Sequence, residues 1–528
     1  MDIRRRRSAA NKEQGCVFME IRTNRKMKYR MIGLLIAVLL PTGLFYADIL
    51  GMKSRLDASA KLAEASKGWN QYEISVAFDP ESKTLRCEQK VEYINRSGEE
   101  LTHLYFHLYP NAFRYEEKPV FDRGDMERAY PNGFSPGFLD MEEVRINGRE
   151  SDFIIGGYSE DLLMLLLEGS LAPGETVSVE MHYMVRMPNC LGRFGYGDNT
   201  FKAVNWYPIA SVYDENGWNL DRYYPIGDPF YSDTANYKVS IKAPSDYIIA
   251  STGDIKDKKE KDGYTIWQLS APAVRDFAWL AGDNFRAVSR QVGNTTVTSY
   301  YYSDATGEKA LDYAASALEF FNAAFGEYPY RHFSVVESDF FIGGMEYPNL
   351  IMMDHSLYAS ENMDSLELVT VHETAHQWWY GLVGNNQVTD AWIDEGLTEY
   401  STVLYYGHRY GPEKEKEIYD GMIAEGKYSY LHFYARTAEV DETIDRPSYE
   451  FSDWILYDLL VYGKGAMMFH DLRERMGKDS FTLALREYCR EHQFQNVGKE
   501  DMIRTFNRVT GQNWEEYFNK WLYDENHE

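Results

Sequence analysis

Hydrophobic residues recur with two different periods along this chain. Up to about residue 290 they alternate with polar ones or gather in short β-branched and aromatic runs, as in "TVSVEMHYMV" (176–185) and "YKVSIKAP" (237–244). A period of two sends successive side chains to opposite faces of a strand. Turn signals separate these runs: Ala172-Pro173-Gly174 is one, and "KKEKDGY" (258–264) predicts a hairpin turning at Asp262-Gly263. Residues 70–290 are therefore expected to form a mostly β domain. A further strand is predicted in "TTVTSYYY" (295–302), where the composition changes.

Beyond residues 295–310 the period lengthens to that of helices. "EKALDYAASALEFFNAAFG" (308–326), "DSLELVTVHETAHQWWYG" (364–381) and "YGKGAMMFHDLRERMG" (462–477) each end at a glycine, a common helix stop. The middle one is expected to start at Asp364, with Glu367 as its capping-box partner. Residues 295–528 read as a helix-rich domain, so the fold class is α+β and multidomain. With 528 residues and 44% hydrophobic content, the chain can bury more than one core.

Charge changes this picture at the N-terminus. The first 30 residues hold ten Lys/Arg against Asp2, Glu13 and Glu20, a balance of +7. Subtracting that from the whole-chain charge of −27 leaves −34 on the remainder. A body that acidic repels phosphate backbones, so no nucleic-acid partner is expected. "MIGLLIAVLLPTGLFYADIL" (31–50) carries one charge, Asp48, and at about 1.5 Å per residue it nearly spans a bilayer core of roughly 30 Å. A cleaved signal peptide is the alternative, but Phe45 stands where cleavage sites want a small residue. The expected organisation is a basic cytoplasmic tail (1–30), a transmembrane signal anchor (31–50), a polar stalk (51–69) and a body outside the cytoplasm. Cys87, Cys190 and Cys489 beyond the span lack metal-type spacing, and at most one disulfide is expected.

Candidate chemistry centres on "HETAH", residues 372–376. On a helix His372 and His376 lie one turn apart on one face, where both imidazoles can reach one ion. Two hydrogen-bonded core histidines are the plainer alternative. A catalytic zinc needs three protein ligands and an open position, so a third must come from elsewhere. "AWIDEGLTEY" offers Glu395 as that ligand. Glu399 lies one turn on, on a helix expected from about Asp394 to Gly407, where it could accept the outer N–H of a liganding histidine.

HETAH, an eighteen-residue gap and Glu395 resemble the gluzincin pattern, and "HETAHQWWYGLV" with "AWIDEGLTEY" is similar to peptidase family M1, the zinc aminopeptidases. "FIGGMEYPNLI" (341–351) resembles the family's G-x-M-E-N exopeptidase motif, and "VYGKGAMM" (461–468) the segment with its catalytic tyrosine. The resemblance implies a thermolysin-like catalytic domain with one Zn²⁺ per chain, peptide substrates, and hydrolysis by a zinc-activated water. It implies Glu373 as general base, Tyr462 as oxyanion donor, and Gly343, Gly344, Met345 and Glu346 as the substrate-binding stretch, Glu346 holding the free amine. Tyr347 departs from the pattern, standing where the family has Asn. The family's second amine anchor falls nearest to Asn205, for which a surface or turn position is the plainer expectation. A site more open than that of larger members, without their long C-terminal helical domain, is expected. Endopeptidase or epoxide-hydrolase action on the same zinc, and an inactive peptide-binding protein, are the alternatives.

Overall fold

The computed structural model describes residue 62 and residues 66–523, apart from 304, 305, 438 and 439. The expected basic tail and membrane span, and most of the stalk, lie outside the described residues. Among the described residues, no helix is long and apolar enough to cross a membrane.

The N-terminal half is β-rich and the C-terminal half helical, and both belong to one compact unit, Ala58–Glu528. An eight-stranded sheet dominates the first half. Its strands run, edge to edge, Asp254–Lys261, Tyr264–Val274, Ala235–Pro244, Gln71–Asp79, Thr84–Ile94, Thr176–Arg186, Phe138–Ile146 and Arg149–Glu150. Neighbours are antiparallel except Gln71–Asp79 against Ala235–Pro244. In Gln71–Asp79 every second residue is buried, the pattern of a sheet with one wet face. The expected hairpin turns at Asp262 and Gly263, both with positive φ (54° and 80°), as a two-residue type I′ turn requires.

A second, five-stranded sheet runs in the order Arg286–Val292, Thr295–Tyr301, His332–Ser338, Leu350–Asp354 and Gly344–Met345. It includes a strand that precedes the change of composition. Gly344–Met345 is one of its two edge strands. Against this sheet pack α1 (Gly307–Phe325) and α2 (Met363–Ala375), followed by α3 (Leu397–Tyr410) and α4 (Gly465–Met476).

Three helix expectations need correction. The capping box is absent: Asn362 precedes α2 without a side-chain cap, and Glu367 instead accepts hydrogen bonds from the Tyr405 and Tyr410 hydroxyls of α3. That helix also stops at Ala375, six residues before Gly381. The adjacent indoles of Trp378 and Trp379 donate to Gly326 and Ser401, on different elements, and Tyr380 takes φ 112° as the chain turns away. Finally, α3 and α4 are each preceded by a π-helical turn, Trp392–Gly396 and Asp458–Lys464. Gly396 sits against Gly465, where an added Cβ would lie 3.1 Å from the Gly465 Cα, so only glycines let the two turns cross this closely. The cysteines Cys87, Cys190 and Cys489 are buried and free, so no disulfide forms among the described residues.

Candidate active site

His372 lies in the last turn of α2 and His376 is its C-terminal cap, while Glu395 comes from the π turn before α3. Their donor atoms converge. His376 Nε2 is 3.2 Å from His372 Nε2 and 3.1 Å from Glu395 Oε2, which is 3.3 Å from His372 Nε2. Ligands about 2.0–2.1 Å from a tetrahedral ion such as zinc stand about 3.3 Å apart, so the spacing fits.

The outer nitrogens argue the same way. His372 Nδ1 faces Glu399 Oε2 at 3.1 Å, and His376 Nδ1 faces the Trp379 carbonyl at 3.0 Å. With both outer N–H groups donating, the two inner Nε2 atoms turn lone pairs toward each other and toward a carboxylate. That arrangement repels unless a cation sits among them. Burial works against charge on Glu395, but protons on the two imidazoles, the alternative to a metal cation, hold its carboxyl well below the ordinary range. Burial also opposes charge on Glu399, but Lys427 and then His372 bring its carboxyl down to about 2.

Glu373 is 6% exposed, and its Oε2 has no hydrogen-bond partner. Burial pushes its carboxyl up to about 8. Gly344 is packed so tightly on the Glu373 carboxylate that an added Cβ would collide with it, which brings the sheet edge beside this acid. Gly343 has φ 100°, a conformation that glycine adopts readily. Met345 is buried and turned toward Arg193, whose Nε donates to its sulfur at 3.2 Å.

Tyr462 rides the π turn before α4. Its hydroxyl donates to Glu395 Oε1 at 2.5 Å, and its ring stacks near His372 with centroids 5.9 Å apart. Glu346 is buried and accepts from Gln387 Nε2 at 2.8 Å; the same nitrogen donates to Asp394 Oδ2 at 3.1 Å. Carboxylate oxygens of Glu346 and Asp394 and a ring nitrogen of His376 lie within 4.8 Å of one another. The metal seat thus continues into a second wall lined by carboxyl groups, where burial and the neighbouring Glu395 and Glu346 push the Asp394 carboxyl well up.

Asn205 lies in a bend, as one half of the expectation has it, but not on the surface. It is buried, with φ 46°, and its Nδ2 donates to Asp276 at 2.7 Å while its Oδ1 faces the Tyr347 hydroxyl at 3.4 Å. Its amide is committed to the interior, which places Tyr347 too: a buried residue beside Asn205. Sequence reasoning missed Gln387, Asp394 and Lys427. Asp394 could have been noticed beside Glu395 in "WIDEG", whereas Gln387 and Lys427 stand in no motif.

Residues 309–521 match the Peptidase family M1 domain. The chain carries a peptidase family M1 domain. Aminopeptidase M1-D of Oryza sativa subsp. japonica is 23% identical over 390 residues, 71% of this chain and 43% of the relative. Aminopeptidase N of Lactococcus lactis subsp. lactis is 25% identical over 224 residues, 40% of this chain and 26% of the relative. The chain thus spans under half the length of these relatives. An M1 zinc metallopeptidase from Deinococcus radiodurans shares the fold of the M1 domain and the β-rich half together, with a TM-score of 0.60 at 17% identity, over 87% of this chain and 94% of that one.

Proposed function

We propose that this chain is a zinc-dependent aminopeptidase that removes N-terminal residues from peptides, with one zinc ion held by His372, His376 and Glu395. The observation that carries the reading is the convergence of these three donors at 3.1–3.3 Å, beside a buried Glu373 with a free carboxylate oxygen. Zinc, when bound, supplies a Lewis acid and makes a water acidic at near-neutral pH.

The chain's own groups then have distinct tasks. Glu373 takes the proton of the attacking water and passes it to the leaving nitrogen. Tyr462 is a neutral donor beside the metal seat, suited to hydrogen-bond the carbonyl oxygen as negative charge builds on it. Glu399 keeps the outer N–H of His372 engaged and so fixes its tautomer. Glu346, steadied by Gln387, is suited to hold a free α-ammonium by a charge-assisted hydrogen bond. The edge strand Gly344–Met345, with Gly343 leading into it, is suited to a peptide backbone lying alongside. The basic residues before the apolar run at 31–50 support a single-pass anchor with the N-terminus cytoplasmic and the catalytic body outside.

One experiment tests the reading. The purified full-length chain is incubated with a short peptide in free and N-acetylated forms, with and without a chelator, and products are read by mass spectrometry. Stepwise shortening of the free form alone, abolished by chelation, is expected. Internal cleavage of both forms would remove the exopeptidase assignment and leave the metal assignment standing.

A further inference from the structure

Three π-helical stretches occur among the described residues: Trp392–Gly396, Tyr419–Tyr428 and Asp458–Lys464. Such segments carry an extra residue per turn at some cost and gather at functional sites. The first presents Glu395 and the third presents Tyr462. The middle one presents Lys427, which matches no motif.

Lys427 is largely buried, its side chain 17% exposed. Its ammonium stands 3.4 Å from Glu399 Oε1, donates to Asp458 Oδ1, and lies over the Tyr462 ring at 5.0 Å from the centroid. The two oxygens of Glu399 are therefore divided, Oε2 to His372 and Oε1 to Lys427, which removes the carboxylate's freedom to rotate. The lysine stem is held as closely as its head. An added Cβ at Gly463, next to Tyr462, would lie 2.7 Å from the Lys427 Cβ, so the stem is wedged against the turn that aims the tyrosine. His376 is held differently: its outer nitrogen faces the Trp379 carbonyl and the Thr398 hydroxyl, with no carboxylate behind it.

We propose that Lys427 is a positioning residue that ties the seating of His372, through Glu399, to the seating of Tyr462. A buried carboxylate needs a compensating cation, and a cation over a ring face is attracted to it; one ammonium in this place does both. The inference rests on the proposed function for the role of Tyr462, but its central measurement does not.

The test uses the full-length chain. Zinc affinity is measured by competition with a chromophoric chelator, and kcat and KM on a free peptide. Lys427→Met keeps the stem and deletes the charge. It is expected to weaken zinc binding about 10–100-fold, the usual cost of losing a partner behind a metal ligand, and to lower kcat by a similar factor with KM within about threefold. Lys427→Arg is expected to recover most of both. Gly463→Ala, which displaces the stem and leaves every charge in place, is expected to shift both readouts in the same direction. Wild-type zinc affinity in Lys427→Met, or activity losses that track only a lower unfolding temperature, would overturn the proposal. Zinc affinity is read without substrate, so a wild-type chain that binds zinc and cleaves no peptide would remove the function reading and leave this comparison intact.

Discussion

The hairpin Asp254–Val274, a continuous two-stranded ladder but for a register shift between Ile255 and Asp257 and the positive φ of Ala273, contrasts with the π turns around Glu395, Lys427 and Tyr462. The hairpin's outer strand, "DIKDKKEK", is almost wholly exposed and lysine-rich, a charged edge that discourages pairing with other chains. Its partner strand alternates, and the turn uses residues suited to positive φ. The π turns break the helical repeat, cross through the glycine pair Gly396 and Gly465, and place charged side chains in the interior. The comparison teaches that regular repeats build this scaffold while its candidate chemistry gathers where helices end or give way to π turns: His372 and Glu373 in the last turn of α2, Glu395 and Tyr462 on π turns.

The largest effects should come from the groups that face the substrate: Glu373 in the last turn of α2, and Tyr462 on a π turn. Glu373→Gln is expected to lower kcat by about 10²–10⁴-fold, the range for losing a general acid–base. Zinc stoichiometry, measured by atomic absorption, should stay at wild-type level, because Glu373 is not among the three converging donors. A variant that lost both activity and metal would argue that this carboxylate belongs to the metal seat. Next, Tyr462→Phe is expected to lower kcat by about 10²–10³-fold, the range for removing one donor to an oxyanion. Steady-state kinetics would show whether KM stays near wild type, as it should if the hydroxyl matters chiefly in the transition state.

Legibility in the sequence follows the same division. The strands at 176–186, 235–244 and 295–301, the helix Gly307–Phe325 and the Asp262-Gly263 turn were all readable, because periodicity and turn chemistry act locally. The convergence of His372, His376 and Glu395 was readable because two donors share one helix turn and the third follows at a telling distance. The end of α2 at Ala375 was not, since it depends on where two indoles find partners 52 and 22 residues away. Asn205 was misplaced for a similar reason: a short polar side chain gives no hint that Asp276 awaits it in the interior. Lys427 was invisible because its partners, Glu399 and Tyr462, lie on other elements, and no local repeat encodes them.

Moving outward from the reacting groups, Glu399→Ala is expected to weaken zinc binding about 10–100-fold, as for other partners behind a ligating histidine. Chelator competition reads it directly. An unchanged affinity would place the orientation of His372 in the surrounding packing. Gly396→Ala addresses the crossing of the two turns. Its methyl would meet the Gly465 Cα and the Val461 carbonyl at 3.1 Å, backbone atoms that move only together with the turns. Overpacking of this kind costs about 1–3 kcal/mol. Denaturant unfolding should show that loss, with a fall in kcat as Tyr462 shifts relative to Glu395.

The smallest effect belongs to the hairpin, and it sharpens the comparison by separating stability from activity. Gly263 has φ 80°, and an added Cβ would meet no atom within 4 Å, so Gly263→Ala introduces backbone strain without any clash. A non-glycine residue in the left-handed region costs roughly 1–2 kcal/mol. Part of that is offset because alanine narrows the unfolded ensemble. The net expectation is about 1 kcal/mol lost in urea unfolding, with kcat, KM and zinc affinity unchanged. Were Gly263→Ala to lower kcat as Gly396→Ala does, the hairpin would be coupled to the site, and the separation between a regular scaffold and an irregular catalytic centre would fail.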